Sequence, residues 1–288
     1  MVYGKLPWCL QMNWMRHCAA VIPCVNEGKS IGNLVRTVRS QLPTVFVVDD
    51  GSTDGTATAA ALGGAEVLRH SRNRGKGAAL QAGFKLARSR GFTWALTLDG
   101  DGQHHSGDIP ALLARADEYG VALVIGNRLA NAEAIPWLRR NANRWMSHRL
   151  SKLAGLPLPD SQCGLRLVNL DAWSGLQLKT EHFEFESELL IEFAKAGHRV
   201  EFVPVRVIYS SGRSHIQPFA DSFRWFRWWL GQRPAKSGRQ PALQDGLSVQ
   251  FPGLQHNSRS VGQFNLHSSQ SSVEGETVQF PQAEPALD

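Results

Sequence analysis

Cysteine is scarce in this chain. The 288 residues hold four, Cys9, Cys18, Cys24 and Cys163, and no two form a C-x-x-C pair. That excludes a small disulfide-framed secreted domain and a cysteine-built metal or redox centre, and it predicts reduced thiols in the cytoplasm. Long apolar runs are missing too: none reaches the roughly 18 residues that a bilayer-spanning helix needs. The N-terminal stretch carries Trp8, Asn13, Trp14, Arg16 and His17 where a signal peptide would be purely apolar. The expectation is a chain with neither a cleaved signal nor a membrane span. Acidic residues are outnumbered, 25 against 31 basic, for a net charge of +6. Beyond residue 234 five acidic residues face three basic ones, so the positive excess sits in the first 234 residues. A basic body suits nucleotide phosphates, a lipid phosphate, an anionic membrane or nucleic acid. Nucleic acid rests on charge alone, without an aromatic-basic recognition motif, and no nucleic-acid partner is expected.

What is present is an alternation of short apolar runs and helical periodicity. Residues 18–22 and 45–48 read as buried strands, 65–68 as a third, 94–98 and 121–125 as two more. Between them, apolar residues at Ile31, Leu34, Val35 and Val38 recur at helical spacing, and 76–90 and 108–119 read as further helices. This β-α alternation predicts an α/β fold with a mostly parallel sheet between helices, whose ligands bind off the carboxyl ends of the strands. Residues 23–27, 49–50, 99–101 and 127–128 all lie just past such ends.

The stretch Thr97-Leu98-Asp99-Gly100-Asp101-Gly102-Gln103-His104 follows the fourth strand. Side chains two apart on an extended strand share a side, so Asp99 and Asp101 are expected to aim at one point, with Gln103 following. Converging hard oxygens suit Mg2+ or Mn2+; the other reading is a solvated Asp/Gly turn. In the second half, 137–153 reads as a basic helix, 165–168 as a strand, 185–196 as a helix and 199–203 as a strand. Residues 218–231 form an aromatic-basic helix with Trp225, Trp228 and Trp229 beside Arg224 and Arg227. It reads either as a core helix or as an interfacial one that meets a membrane surface through residues 217–234. The basic helix at 137–153 would add attraction to anionic lipid. The expected organisation is a lead-in at 1–17, a single domain at 18–216, the amphipathic helix at 217–234 and a disordered Ser/Gln/Gly/Pro-rich tail at 235–288.

Five motifs stand in order: Ile22-Pro23-Cys24-Val25-Asn26-Glu27, Val48-Asp49-Asp50-Gly51-Ser52-Thr53-Asp54, Asn73-Arg74-Gly75-Lys76-Gly77, Asp99-Gly100-Asp101-Gly102-Gln103-His104, and Asp160-Ser161-Gln162-Cys163-Gly164-Leu165-Arg166 with its following Phe185-Glu186-Ser187-Glu188. Together they resemble family 2 glycosyltransferases of the GT-A fold, and among these the dolichol-phosphate mannose and polyprenyl-phosphate sugar synthases.

The resemblance implies an inverting, metal-dependent transfer of a hexose from a GDP- or UDP-sugar to a polyprenyl-phosphate or other membrane-lipid acceptor. The protein would then be peripheral on the inner face of the cytoplasmic membrane. The alternatives are the same donor chemistry with a polysaccharide or soluble acceptor, or a catalytically silent nucleotide-sugar-binding module. By the resemblance, Pro23, Val25 and Glu27 line the base end of the donor site. Val25 stands where many relatives carry a stacking Tyr. Asp50 and the Val48 backbone accept hydrogen bonds from base or ribose. Asn73 and Lys76 steady the donor, or simply begin a helix. Asp99, Gly100 and Asp101 meet the diphosphate, and Asp99, Asp101 and Gln103 hold Mg2+ or Mn2+ on it. Arg128 adds positive charge there, or is a surface arginine. A general base, if one is used, is Asp160 first and Glu186 or Glu188 second; each also reads as a cap or an ion-pair partner. Arg206, Arg213, Ser214 and His215 correspond to a basic loop over the phosphates.

Overall fold

The computed structural model describes residues 12–118, 120–130, 135–208 and 218–232. Arg213, Ser214, His215 and the tail at 235–288 lie outside the described residues. The described residues build one seven-stranded sheet in the order β3-β2-β1-β4-β6-β5-β7. The central strand β1 (Cys18–Cys24) is buried along its whole length, as an unbroken apolar strand covered on both faces must be. It pairs in parallel with β2 (Val45–Asp49) and with β4 (Trp94–Thr97), while β3 (Glu66–Arg69) extends the sheet beyond β2. Their register aligns Cys24 with Asp49 and Val21 with Thr97, so the first, second and fourth strands end at one edge.

The helices follow the expected periodicity closely: α2 (Ile31–Arg39), α3 (Thr56–Leu62), α4 (Lys76–Ser89), α5 (Ile109–Ala116), α6 (Trp137–Ala154), α8 (Phe185–Lys195) and α9 (Pro218–Leu230). Two short pieces were not legible: α1 (Trp14–His17) at the start and α7 (Leu170–Ser174). The latter is a single turn capped by Asn169, whose side chain accepts from Asp171 N and Ala172 N. No helix of the described residues is long and apolar enough to cross a membrane.

The sheet departs from a parallel arrangement at one strand, and that departure makes the site. Strand β6 (Arg166–Asn169) runs antiparallel between β4 and β5 (Val121–Asn127), while β7 (Arg199–Pro204) is parallel to β5. Arg166, the first residue of β6, faces Thr97 and Ile125 near the ends of its neighbours. Reversal therefore delivers the loop before β6, residues 160–164, to the same edge as the loops that follow the parallel strands. Thr97 Oγ1 donates to Gly164 O at 2.8 Å and Gly126 N to Leu165 O at 2.9 Å, fixing that loop on both sides.

Helix α4 lies tightly over β1 and β2. A Cβ built on Gly83 would sit 2.3 Å from Val21 Cγ1 and 3.2 Å from Val48 Cγ2. Gly83→Ala is therefore expected to cost about 1–3 kcal/mol of stability through overpacking, despite alanine's better helix propensity. Urea unfolding followed by circular dichroism reads this; a midpoint at or above that of the parent would contradict it.

Candidate active site

At the carboxyl edge a cavity of about 710 Å3 opens between the strand-end loops and helices α4, α6, α8 and α9. Most of the residues singled out from sequence line it: Pro23, Val25, Glu27, Asp50, Asn73, Lys76, Asp99, Gly100, Asp101, Gln103, Arg128 and Glu186. Val48, Asp160, Glu188 and Arg206 are not among its lining residues.

Asp99 and Asp101 reach the cavity by a different route from the one expected. Strand β4 ends at Thr97 and the chain turns, so alternation along a strand does not align them. The turn is closed by Asp101 Oδ1, which accepts from Gln103 N at 3.0 Å, with Gly102 at a φ of 72° that favours glycine. Asp99 is already engaged: Lys76 Nζ lies 2.6 Å from its Oδ1, and His104 Nε2 lies 3.1 Å from its Oδ2. Burial alone would raise the Asp99 carboxyl, but Lys76 and His104 outweigh it and hold the group well below the usual carboxylate range. Asp101 moves the other way, raised by burial and by the charge of Asp99. Among the described residues no three His, Cys, Asp or Glu side chains are grouped to hold a metal ion.

Lys76, the first residue of α4, is doubly paired, with Glu186 Oε2 also at 2.6 Å. Burial pulls its pKa down, yet the two carboxylates more than reverse this and keep the ammonium charged. Helix α4 is entered through Arg74 and Gly75, whose backbone N–H groups donate to Asp50; the shortest contact is 2.7 Å, from Gly75 N to Oδ2. His70 Nδ1 sits 2.7 Å from Asp50 Oδ1. Asp50 thus holds the loop that presents Lys76, a role that leaves little of its carboxylate for a base or ribose.

Three expected base candidates are bonded within the protein. Asp160, fully buried, takes Arg128 Nε at 2.9 Å and Nη2 at 3.0 Å in a forked pair, and also accepts from Arg128 N and Gln162 N. Glu188 accepts from the backbone of Lys179 and Thr180 and from Thr180 Oγ1 at 2.7 Å. Glu186 holds Lys76. Arg206 is likewise committed, paired with Asp108 at 2.8 Å. For Asp160, Glu186 and Glu188 these are contacts of the ion-pair and cap kind.

Arg166 braces the whole arrangement. It is 1% exposed, and its guanidinium donates to Cys163 O at 2.8 Å, Ser161 O at 2.9 Å and Glu186 O at 2.5 Å. The loop it holds presses on the acidic turn: a Cβ on Gly164 would meet the Asp99 carboxylate, so any side chain there would displace that group.

Sequence reasoning missed part of the wall. Arg139, Asn143 and Met146 from α6, Gln162, His182 and Phe183, and Arg224 and Trp225 from α9 all line the cavity. Helical spacing of Arg139, Asn143 and Met146 was the available signal; nothing local announced that α6 and α9 would wall a site formed by distant loops. Cys24 lines it as well, its thiol raised by burial and by nearby carboxylates.

The aromatic-basic helix buries one side and exposes another. Trp225 is 4% exposed, donates through Nε1 to Ser187 Oγ at 3.0 Å and stacks with Trp229 at 6.3 Å. On its outer face Phe223 and Leu230 are 67% and 63% exposed, and Phe226 is also exposed. Trp137, Leu138 and Trp145 of α6 are exposed too, and Arg149 of α6 lies over the rings of both Trp145 and Trp229.

The chain is similar to several known proteins. The UDP-N-acetylglucosamine–dolichyl-phosphate N-acetylglucosaminyltransferase of Methanococcus voltae is 30% identical over 213 residues, covering 66% of this chain and 85% of the relative. The undecaprenyl-phosphate mannosyltransferase of Micrococcus luteus is 29% identical over 201 residues, covering 65% and 82%. Among solved structures, glucosyl-3-phosphoglycerate synthase from Mycobacterium tuberculosis, in complex with Mn2+, UDP and phosphoglyceric acid, superposes with a TM-score of 0.60. That match has 18% identity and covers 79% of this chain and 82% of the other, which establishes the shared GT-A fold. The glycosyl transferase family 2 model matches residues 19–172, more than half the chain, and with the fold and cavity above it places the protein in that family: an inverting glycosyltransferase that draws on a nucleotide sugar.

Proposed function

We propose that the enzyme moves a hexose from a nucleoside-diphosphate sugar to the phosphate of a polyprenyl-type lipid at a membrane surface. One observation carries this reading. The two helices that wall the cavity with Arg139, Asn143 and Met146, and with Arg224 and Trp225, also bear the exposed Trp137, Leu138, Phe223, Phe226 and Leu230. Helix α6 contains no acidic residue across its 18 positions but carries Arg139, Arg140, Arg144, Arg149 and Lys152. Apolar side chains fringed by arginine suit the headgroup region of an anionic bilayer. An acceptor anchored there would reach the cavity past Arg139 and Arg224.

The donor set fits a divalent ion. Asp101 keeps one oxygen without a hydrogen bond among the described residues, Gln103 offers a side-chain carbonyl, and the Lys76 ammonium stands as a cation between Asp99 and Glu186. Asp101 and Gln103 would hold Mg2+ or Mn2+, with Asp99 the third donor. Bound there, the ion supplies Lewis-acid neutralisation of the departing nucleoside diphosphate. Arg128, pinned by Asp160, adds a fixed positive charge facing the same cavity. Pro23, Val25 and Glu27 bound its base end, where an aliphatic Val25 in place of a ring leaves a thinner platform, and Asn73 adds a polar side chain. The phosphate oxygen of the acceptor attacks the anomeric carbon, the bond to the diphosphate breaks, and its electron pair leaves on the diphosphate. A phosphate nucleophile is already anionic, so no proton has to be removed. That agrees with Asp160, Glu186 and Glu188 all being bonded inside the protein; orientation and charge carry the rate. The basic loop expected at Arg213, Ser214 and His215 would add to acceptor binding.

A soluble phosphorylated acceptor is the second reading. The fold neighbour holds phosphoglyceric acid, and a smaller cavity of about 510 Å3 is lined by Lys179, His182, Arg224 and Arg227 together with Glu181 and Glu184.

Radiolabelled GDP- and UDP-sugars offered with polyprenyl phosphate in vesicles separate the two: labelled product should partition into organic solvent, and label remaining wholly in water-soluble product would reject the lipid acceptor. Asp101→Asn is expected to lower kcat/KM about a hundredfold or more, as is EDTA. Asp160→Asn should lower it by a similar order through a loosened Arg128 while leaving the pH-rate profile unshifted; loss of the alkaline-rising limb would instead make Asp160 the base. The triple change Phe223→Ser, Phe226→Ser, Leu230→Ser should release the protein from sedimenting anionic vesicles, and unchanged sedimentation would remove the membrane surface from the reading.

A further inference from the structure

The acidic turn is closed by a cation of the protein's own. Lys76 Nζ lies 2.6 Å from Asp99 Oδ1 and 2.6 Å from Glu186 Oε2, and its side chain is 15% exposed. Asp99 cannot serve a divalent ion and this ammonium equally well at such a distance, because two cations on one carboxylate repel. The lysine has somewhere to go. Its backbone is fixed at the start of α4, where Gly75 N is tied to Asp50, but its four-carbon stem is flexible. Glu186 is held from behind by Arg166, whose Nη1 donates to the Glu186 carbonyl and whose Nε lies 3.6 Å from Glu186 Oε1, a buried oxygen that makes no hydrogen bond. It can therefore keep the ammonium while Asp99 releases it. The cavity that both carboxylates line also admits the diphosphate, whose oxygens are the natural new partners of a displaced ammonium.

We infer that Lys76 is a positioning residue that competes with the divalent ion for Asp99, so that the ion binds well only together with a nucleoside diphosphate that takes over the ammonium. This rests on the donor reading proposed above. It makes metal and nucleotide binding reciprocal: each raises the affinity of the other by the same factor. The lysine thereby prevents the site from filling with metal alone and couples loading of the ion to arrival of the donor.

Mn2+ binding, followed by the electron paramagnetic resonance signal of free Mn2+ with and without GDP or UDP, tests this without turnover. The parent should bind Mn2+ weakly alone and about 5–150-fold more tightly with the nucleotide, the usual span of such coupling. Lys76→Met should bind Mn2+ alone about tenfold or more tightly than the parent, with the nucleotide effect smaller by the same factor; what remains is the direct attraction between ion and diphosphate. Lys76→Gln, which keeps a hydrogen-bond donor between the two carboxylates, serves if the Met variant does not fold. Arg139→Met removes a positive charge from the same cavity without touching Asp99 and should leave Mn2+ affinity close to that of the parent. An equal gain in both variants would reduce the effect to through-space charge and overturn the inference. Unchanged or weaker Mn2+ binding in the Lys76 variants, with the parent still binding Mn2+ and nucleotide together, would overturn it as well. A parent that binds no Mn2+ even with nucleotide would sink this inference together with the metal-dependent reading beneath it.

Discussion

The guanidinium of Arg166 is the constraint on which the site depends. It is buried at the first position of the reversed strand β6, and its N–H groups are satisfied by carbonyls of Ser161, Cys163 and Glu186. Through the first two it fixes the loop that carries Asp160, and Asp160 in turn fixes Arg128. Through the third it fixes the start of α8, and Glu186 there holds Lys76 against Asp99. One charged group thus sets both cationic arms of the cavity. Removing a buried charge with this many partners strands several carbonyls, each costing about 1–3 kcal/mol to leave unpaired. The functional groups are accordingly organised by a polar brace, whereas the sheet beneath them is held by apolar burial along β1, β2 and β5.

Much of the fold was legible because its signals are local. The apolar runs of β1, β2 and β5 and the helical spacing of α2, α5 and α8 depend on near neighbours in the chain, and the structure matches them to within a few residues. The direction of β6 was not legible: Arg166-Leu167-Val168-Asn169 pairs as readily either way in sequence, and only the packing between β4 and β5 decides it. The site shows the same division. Asp99, Asp101 and Arg128 were visible because each follows a strand. Their pairings were not, even where both members had been singled out, since Lys76 is 23 residues from Asp99 and 110 from Glu186. Asp160 shows the limit: its motif marked it as important, but whether it holds a proton or an arginine is a matter of what lies opposite.

Helices α6 and α9 explain why composition alone left two readings of the aromatic-basic segment. A helix this rich in Trp and Phe has more apolar surface than one contact can cover. Trp225 turns inward to Ser187 and the rings of Trp145 and Trp229, while Phe223, Phe226 and Leu230 remain outside. Arg149, lying over two of those rings, joins the helices by cation–π contact. The inner face shapes the cavity, and the outer face is exposed among the described residues.

The cysteines close the account of the cavity's chemistry. Cys24 lines it and Cys163 lies in the loop that abuts Asp99, yet both are buried; Cys163 is pushed up to about 12 and Cys24 is raised further. A thiol that is both buried and protonated is a weak nucleophile. The sulfur at the edge of the cavity is therefore chemically quiet, and the work of the pocket falls to the charged oxygens and nitrogens around it.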